Sequence, residues 1–174
     1  MILGLDLGAA VKVITEFETR FWEPQGLSGF MITDLPFGVG WAPTDSYRST
    51  QGLLTQFITG SPAEHGARLD RHARAAWATN HLDEVFPQAR TNRNGPQISQ
   101  AWANERHTGG GYAIFRPGQV VKFWPVLRSG FARVRFAGEH TEILDGDMES
   151  AIRSGHRVAA NIGAPPRHRT SHGK

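Results

Sequence analysis

FAGEHTEILDGDMESAIRSG, residues Phe136 to Gly155, is the stretch on which the reading of this chain turns. Val134, Arg135, Phe136 and Ala137 read as an apolar strand that runs into Gly138-Glu139. A short polar loop follows, then a helix with an acidic first turn and small residues in its body. The start of a helix has unpaired backbone N–H groups and the positive end of the peptide dipole. Strand, glycine turn and helix N-terminus in this order therefore suit an electron-rich ligand. Met148, Ala151, Ile152, Gly155, Val158, Ala159 and Ile162 fall on one helical stripe. Gly163 and Pro165-Pro166 end the helix.

Upstream, Val11 to Phe21 alternates apolar and polar positions. Val11, Val13, Thr15 and Phe17 form one face of a strand, and Lys12, Ile14, Glu16 and Glu18 the other. Phe30 to Ala42 reads as a strand pair broken at Asp34-Leu35-Pro36, and Gly52 to Thr59 as a further strand. Ser61-Pro62-Ala63-Glu64 has the form of a capping box. It predicts one helix that runs to Pro87, with Leu69, Ala73, Ala76, Trp77, Leu82 and Val85 at helical spacing. Gln88 to Gln100 is predicted as loop, because Asn94-Gly95-Pro96 is a strong turn signal. A Gly-rich loop, Thr108 to Gly111, precedes a strand-like run from Tyr112 to Phe115 and a turn at Arg116-Pro117-Gly118. The pattern predicts an α+β chain: a mixed or antiparallel sheet with a long helix, then a strand–helix unit in a separate layer.

At 174 residues the chain is long enough for one domain with a substantial core and too short for two large ones. With 39% hydrophobic and 20% charged residues it has an ordinary globular composition. No apolar run approaches the ~20 residues that span a bilayer, and the first residues lack the basic start of a signal peptide. A cytoplasmic location and no membrane association are the expectation. The absence of cysteine excludes disulfides, thiolate metal sites and thiol catalysis. Net charge is +3 and the pI 9.8. Much of the excess lies in Arg167 to Lys174, which read as a disordered basic tail. No aromatic–basic platform accompanies that tail, so nucleic acid is not expected as a partner. The histidines show no metal-ligand spacing.

Three motifs in order resemble those of the FAD-dependent amine oxidase family, the monoamine oxidase and L-amino-acid oxidase type, in its C-terminal portion only. Gly8 to Trp22, GAAVKVITEFETRFW, is similar to the family's lysine-bearing strand. There the lysine typically holds a water against flavin N5, and here it matches Lys12. Ala101 to Gln119, AWANERHTGGGYAIFRPGQ, is similar to the segment whose Trp and Tyr flank the flavin and substrate cavity. These match Trp102 and Tyr112. The opening stretch matches at Gly138, Glu139, Thr141, Gly146, Met148, Glu149, Ala151, Ser154 and Gly155. Three motifs in order carry more weight than any one. The resemblance implies Lys12 and Tyr112 as catalytic residues, and Trp102, Gly138, Glu139, Gly146, Asp147, Met148 and Ala151 as cofactor-binding residues. It implies FAD, held without a covalent bond because Gly111 stands where covalent monoamine oxidases have cysteine. It implies residues 1–130 as a substrate-binding portion, 131–164 as the end of an FAD-binding domain, and 165–174 as a tail.

Two departures from the family qualify the resemblance. No G-x-G-x-x-G turn occurs, so the dinucleotide fold is expected from a separate N-terminal chain, or the chain is a truncated reading frame. A homo-oligomer is also compatible with the sequence. Asp147 stands where the family has an aromatic residue facing the flavin. It reads either as a helix cap or as a cavity carboxylate for a cationic substrate. For Lys12 the plain alternative is a solvent-facing lysine on an edge strand. For Trp102, Tyr112 and Trp41 it is a core aromatic. The implied activity is oxidative deamination of a small amine or amino acid to an imine, with hydrogen peroxide formed. The competing reading is a non-catalytic remnant or partner module that binds no flavin alone.

Overall fold

The computed structural model describes residues 4–43, 48–142 and 147–163. Its strands and helices are β1 (Asp6–Gly8), β2 (Ala10–Phe17), β3 (Met31–Ile32), β4 (Val39–Trp41), β5 (Gly52–Thr59), α1 (Gly60–Arg68), α2 (Arg71–Val85), α3 (Ala89–Asn92), β6 (Arg93–Ala101), β7 (Tyr112–Ile114), α4 (Gln119–Ser129) and α5 (Met148–Gly163). This is the expected mixture of helices and antiparallel sheet. Two compact units share the chain. Leu7–Gly111 is one, and Tyr112 onward with the residues up to Asp6 is the other.

The first unit is a five-stranded antiparallel sheet, β3-β4-β5-β2-β6, with helices on one face. Alternation along β2 decides which side is buried. Val11, Val13, Thr15 and Phe17 point to the helices and are wholly buried, whereas Lys12, Ile14 and Glu16 on the other face stay half-exposed. Leu54 and Ile58 of β5 and Leu82 of α2 complete that core. Burial of each such large apolar side chain contributes roughly 1.5–3 kcal/mol. Trp22, Phe17, Phe21 and Phe86 close one end of it with edge-to-face rings at 5.1–6.0 Å. Polar stitches join sheet to helix. Gln56 donates to the Ala78 carbonyl at 2.7 Å, and Gln97 to Thr79 Oγ1 at 2.6 Å.

The helical region differs from expectation in three ways. It is two helices, broken where Leu69 is extended and Asp70 caps α2 by accepting from the amides of His72 and Ala73 at 2.8 and 2.9 Å. The Ser61 capping box does not form, because β5 runs straight into α1 at Gly60 and leaves Ser61 and Pro62 inside the first turn. The buried face of α2 is Arg74, Ala75, Ala78, Thr79 and Leu82, while Ala73 and Ala76 are exposed. Arg74 is buried because its guanidinium donates to the α1 end carbonyls of Gly66 and Leu69, each at 2.8 Å, and to Ser99 at 3.3 Å. It supplies the partners that the last turn of α1 lacks.

Much of Gln88 to Gln100, expected as loop, lies in the edge strand β6 (Arg93–Ala101). An edge has one unpaired side, so Pro96 removes no ladder bond there. Gly95, at φ 140, lies where the register with β2 shifts between Thr15 and Phe17, as at a bulge.

In the second unit, α4 was not anticipated; Pro125 inside it masks the helical pattern. The expected strand over Val134–Ala137 has no ladder. An isolated Phe131–Val134 bridge is the pairing found there. A strand needs a neighbour, and none of the described strands supplies one to this segment. The final helix is present, but its predicted stripe faces away from the unit. Met148 is 85% exposed, Ile152 56% and Ile162 73%, while Ser150 and Ser154 are wholly buried. Ser154 Oγ accepts from the Gly138 amide at 2.8 Å, and Arg157 donates to Glu142 and Thr141 at 2.9 and 2.8 Å. The polar side of α5 therefore anchors it.

Candidate functional site

The sheet face opposite the helices carries the features that stand apart from core packing. In register it presents Lys12 and Ile14 of β2, Phe57 of β5, Val39 and Trp41 of β4, Ile32 of β3, and Ile98 and Gln100 of β6. Ile32 is 77% exposed and Ile98 61%. The Lys12 ammonium lies 5.6 Å from the Trp41 ring centroid and 5.5 Å from that of Phe57. β2 lies inside the sheet, between β5 and β6. Lys12 is thus not an edge-strand lysine, although the face it occupies is open. Trp41, set aside from sequence as a core aromatic, is half-buried on this open face. Phe57 was missed. Its signal was present: two strands with matched alternation, β2 and β5, put position 57 opposite position 12.

Trp102 opens the turn that follows β6 and is 36% exposed. The Gly-rich loop then returns against the start of the chain, with the Gly111 amide donating to Gly8 O at 2.8 Å. A Cβ placed on Gly111 would sit 2.4 Å from the Ala10 Cβ, a separation that packed carbon atoms do not adopt. Gly111→Cys is accordingly expected to destabilise the chain by about 1–3 kcal/mol, the usual effect of forcing extra atoms into packed structure. Ala10→Gly in the same chain should recover part of that loss in urea melts.

In the second unit, Tyr112 is half-buried at the start of β7. Glu139 ties this strand to the glycine turn, as its Oε1 accepts from the Ala113 amide at 2.8 Å. Gly138 takes φ 140, a region that disfavours side chains, and its amide is already bonded to Ser154. That amide is not free for a ligand as the chain stands. Gly146 lies outside the described residues, as do Asp145 and the basic tail.

Asp147 is exposed and caps α5. Its Oδ1 accepts from the Ser150 amide at 2.9 Å. This backbone hydrogen bond is the main reason that its carboxyl titrates below the usual range. The sign follows from linkage. The cap is intact above the ordinary carboxylate range and is lost as pH falls through the lowered value. The first turn of α5 should therefore fray below about pH 4. Faster amide exchange at Ser150 in acid checks this, and Asp147→Asn should flatten the dependence.

Met148, Ala151 and Gly155 line the outward side of α5. A Cβ built on Gly155 meets no atom within 4 Å. Lys12 and Trp102 belong to the first unit, and Tyr112, Gly138, Glu139, Asp147, Met148 and Ala151 to the second. A cleft of about 280 Å³ in the first unit, lined by Phe21, Gln25, Leu27, Val85, Phe86, Pro87 and Gln88, includes none of these residues. Among the described residues no His/Asp/Glu cluster could hold a metal ion. No helix among them is long and apolar enough to cross a membrane.

The family model for flavin containing amine oxidoreductase matches residues 1–163. YobN of Bacillus subtilis (strain 168), which carries the provisional name of L-amino-acid oxidase, is 29% identical over 168 residues. The match covers 95% of this chain and 35% of that protein. The L-amino-acid oxidase of Gloydius halys is 28% identical, over 88% of this chain and 31% of its own length. Among solved structures, cyclohexylamine oxidase from Brevibacterium oxydans superposes with a TM-score of 0.79 at 27% identity, over 91% of this chain and 35% of that one. Wild-type putrescine oxidase bound to putrescine gives a TM-score of 0.79 at 25% identity, with the same coverage. The chain spans about a third of the length of the curated relatives that it matches.

Proposed function

This chain belongs to the flavin-containing amine oxidoreductase family, and from that premise we propose that it is a fragment or subunit of an FAD-dependent amine or amino-acid oxidase. The observation that carries the proposal is Lys12. It is a half-buried cation on the open, apolar face of an otherwise conventional sheet, held beside two aromatic rings. Residues 1–130 supply substrate-binding surface, and residues 131–164 the last part of the flavin-binding domain. The remaining dinucleotide contacts come from a dinucleotide fold outside these 174 residues.

The residues present fit such a cofactor. The outward side of α5 at Ala151 and Gly155, beside the exposed Met148, has the small profile that a planar ring system can approach. The second oxygen of Glu139 remains to accept from a ribose hydroxyl. The lack of space at Gly111 supports non-covalent binding. When bound, FAD would supply the redox chemistry: acceptance of a hydride equivalent from the α-carbon C–H of the amine, with an N–H proton lost to leave an imine, and return of the two electrons, with two protons, to dioxygen as hydrogen peroxide. Lys12 donates N–H to a water on the sheet face, Trp102 is assigned to the cofactor and Tyr112 to catalysis, and Asp147 holds the start of α5. A side-chain nucleophile is not required.

The test is co-expression of this chain with a polypeptide that carries a dinucleotide fold of the same family. Flavin absorbance that co-purifies with the pair, with peroxide released from L-amino acids or primary amines, is the expected result. A pair that assembles yet stays colourless would establish the non-catalytic module instead.

A further inference from the structure

The environment of Lys12 assigns work to its neighbours. Phe57 is its register partner on β5, and Trp41 lies diagonally beyond on β4. The two rings meet edge to face, with centroids 6.4 Å apart and planes at 63°. The ammonium is nearly equidistant from both, within the ~6 Å over which an aromatic face attracts a cation. On its other side the register partner is Gln100, a neutral amide whose Nε2 donates to Glu105 at 2.6 Å. Among the described residues no carboxylate pairs with Lys12. The distinction matters chemically. A carboxylate would accept the ammonium's N–H groups and cancel its charge. Aromatic faces attract the charge and leave its three donors available to a ligand or water.

We propose, resting on the reading of Lys12 as the cofactor-facing lysine, that Trp41 and Phe57 are positioning residues. They hold the ammonium over the open sheet face with its charge and donors intact. Their role is exerted through Lys12, and it explains why two large aromatic side chains stand half-exposed on the side away from the core.

The sequence contains three lysines, Lys12, Lys122 and Lys174. Reductive methylation of the full chain with ¹³C-formaldehyde converts each to a dimethylammonium that keeps its charge, and Lys12→Met identifies the Lys12 signal. Ring currents should displace that signal upfield. The displacement should be lost in Phe57→Leu and in Trp41→Leu, and kept in Phe57→Tyr. A Lys12 signal at the position of a solvated lysine in the unsubstituted chain overturns the proposal, as does a displacement that both leucine variants leave unchanged. In the completed oxidase, Phe57→Leu should lower kcat about 10-fold with KM for the amine unchanged, as expected when a reacting group loses its placement. Phe57→Tyr should restore it. A colourless assembly with a displaced Lys12 signal defeats the oxidase reading. An active assembly whose signal is undisplaced defeats the positioning role.

Discussion

Arg157→Leu is expected to lower the stability of the second unit by roughly 3 kcal/mol, the usual result of removing one partner of a largely buried ion pair. Arg157 and Glu142 are only 16% and 17% exposed at the side chain, with Nε to Oε1 at 2.9 Å. The same guanidinium donates to Thr141 Oγ1 at 2.8 Å and, more weakly, to the carbonyls of Phe136 and Arg128 at 3.4 Å. One side chain thus ties α5 to the glycine turn, to the extended segment before it and to α4. In its absence Glu142 retains Arg128 at 3.4 Å, a partner 45% exposed. The apolar stripe of α5 cannot compensate, because it faces away from the unit. Urea melts followed by amide exchange along α5 measure the effect. Arg116→Leu is the control. Its pair with Asp6 is 70% and 43% exposed, and its loss should shift stability by less than about 1 kcal/mol. Equal effects from the two substitutions would refute the central place given to Arg157.

The contrast between Arg157 and the stripe shows where the sequence was legible. Periodicity located α5 well, since the 3.6-residue repeat requires only a helix. It could not say which side of the helix would be buried, because that depends on what lies opposite. Here the neighbours are Gly138, Thr141 and Glu142, which call for hydroxyls and a guanidinium. The same reasoning explains β6 and Val134–Ala137. Asn94-Gly95-Pro96 signals a turn locally, yet an edge strand with a bulge accommodates it. Val134 to Ala137 signals a strand locally, yet no strand pairs with it. Where the local signal and the pairing agreed, as for β2, β5 and the β3–β4 pair, the elements formed as expected. Arg74 and Asp70 were opaque for a related reason: both serve helix termini whose position becomes visible only once the chain has turned. On the open sheet face, Lys12 stood out in the sequence through its motif, and Phe57 is visible only through register.

Lys12→Met in the completed oxidase is expected to slow peroxide release about 100-fold or more, the range associated with loss of a well-placed proton donor or electrostatic stabiliser. Methionine keeps most of the length and apolar stem of lysine, so the aromatic rings retain a packing partner and β2 keeps its ladder. The fold should therefore persist, and the loss should be chemical. Charge builds up where dioxygen is reduced, so a fixed cation with free donors acts at that stage. Removal of hydrogen from the amine has less need of it. Anaerobic mixing with substrate should accordingly bleach the flavin absorbance at nearly the unsubstituted rate, while its return on admitting oxygen should be slow. Lys12→Arg keeps the charge but spreads it over a planar fork that cannot occupy the same point beside Trp41 and Phe57, so it should recover only a small part of the rate. Lys122→Met, on the exposed side of α4, should leave both stages unchanged. If Lys12→Met impairs the anaerobic stage as strongly as the aerobic one, Lys12 acts on the amine, and the oxygen-directed role assigned to it is wrong.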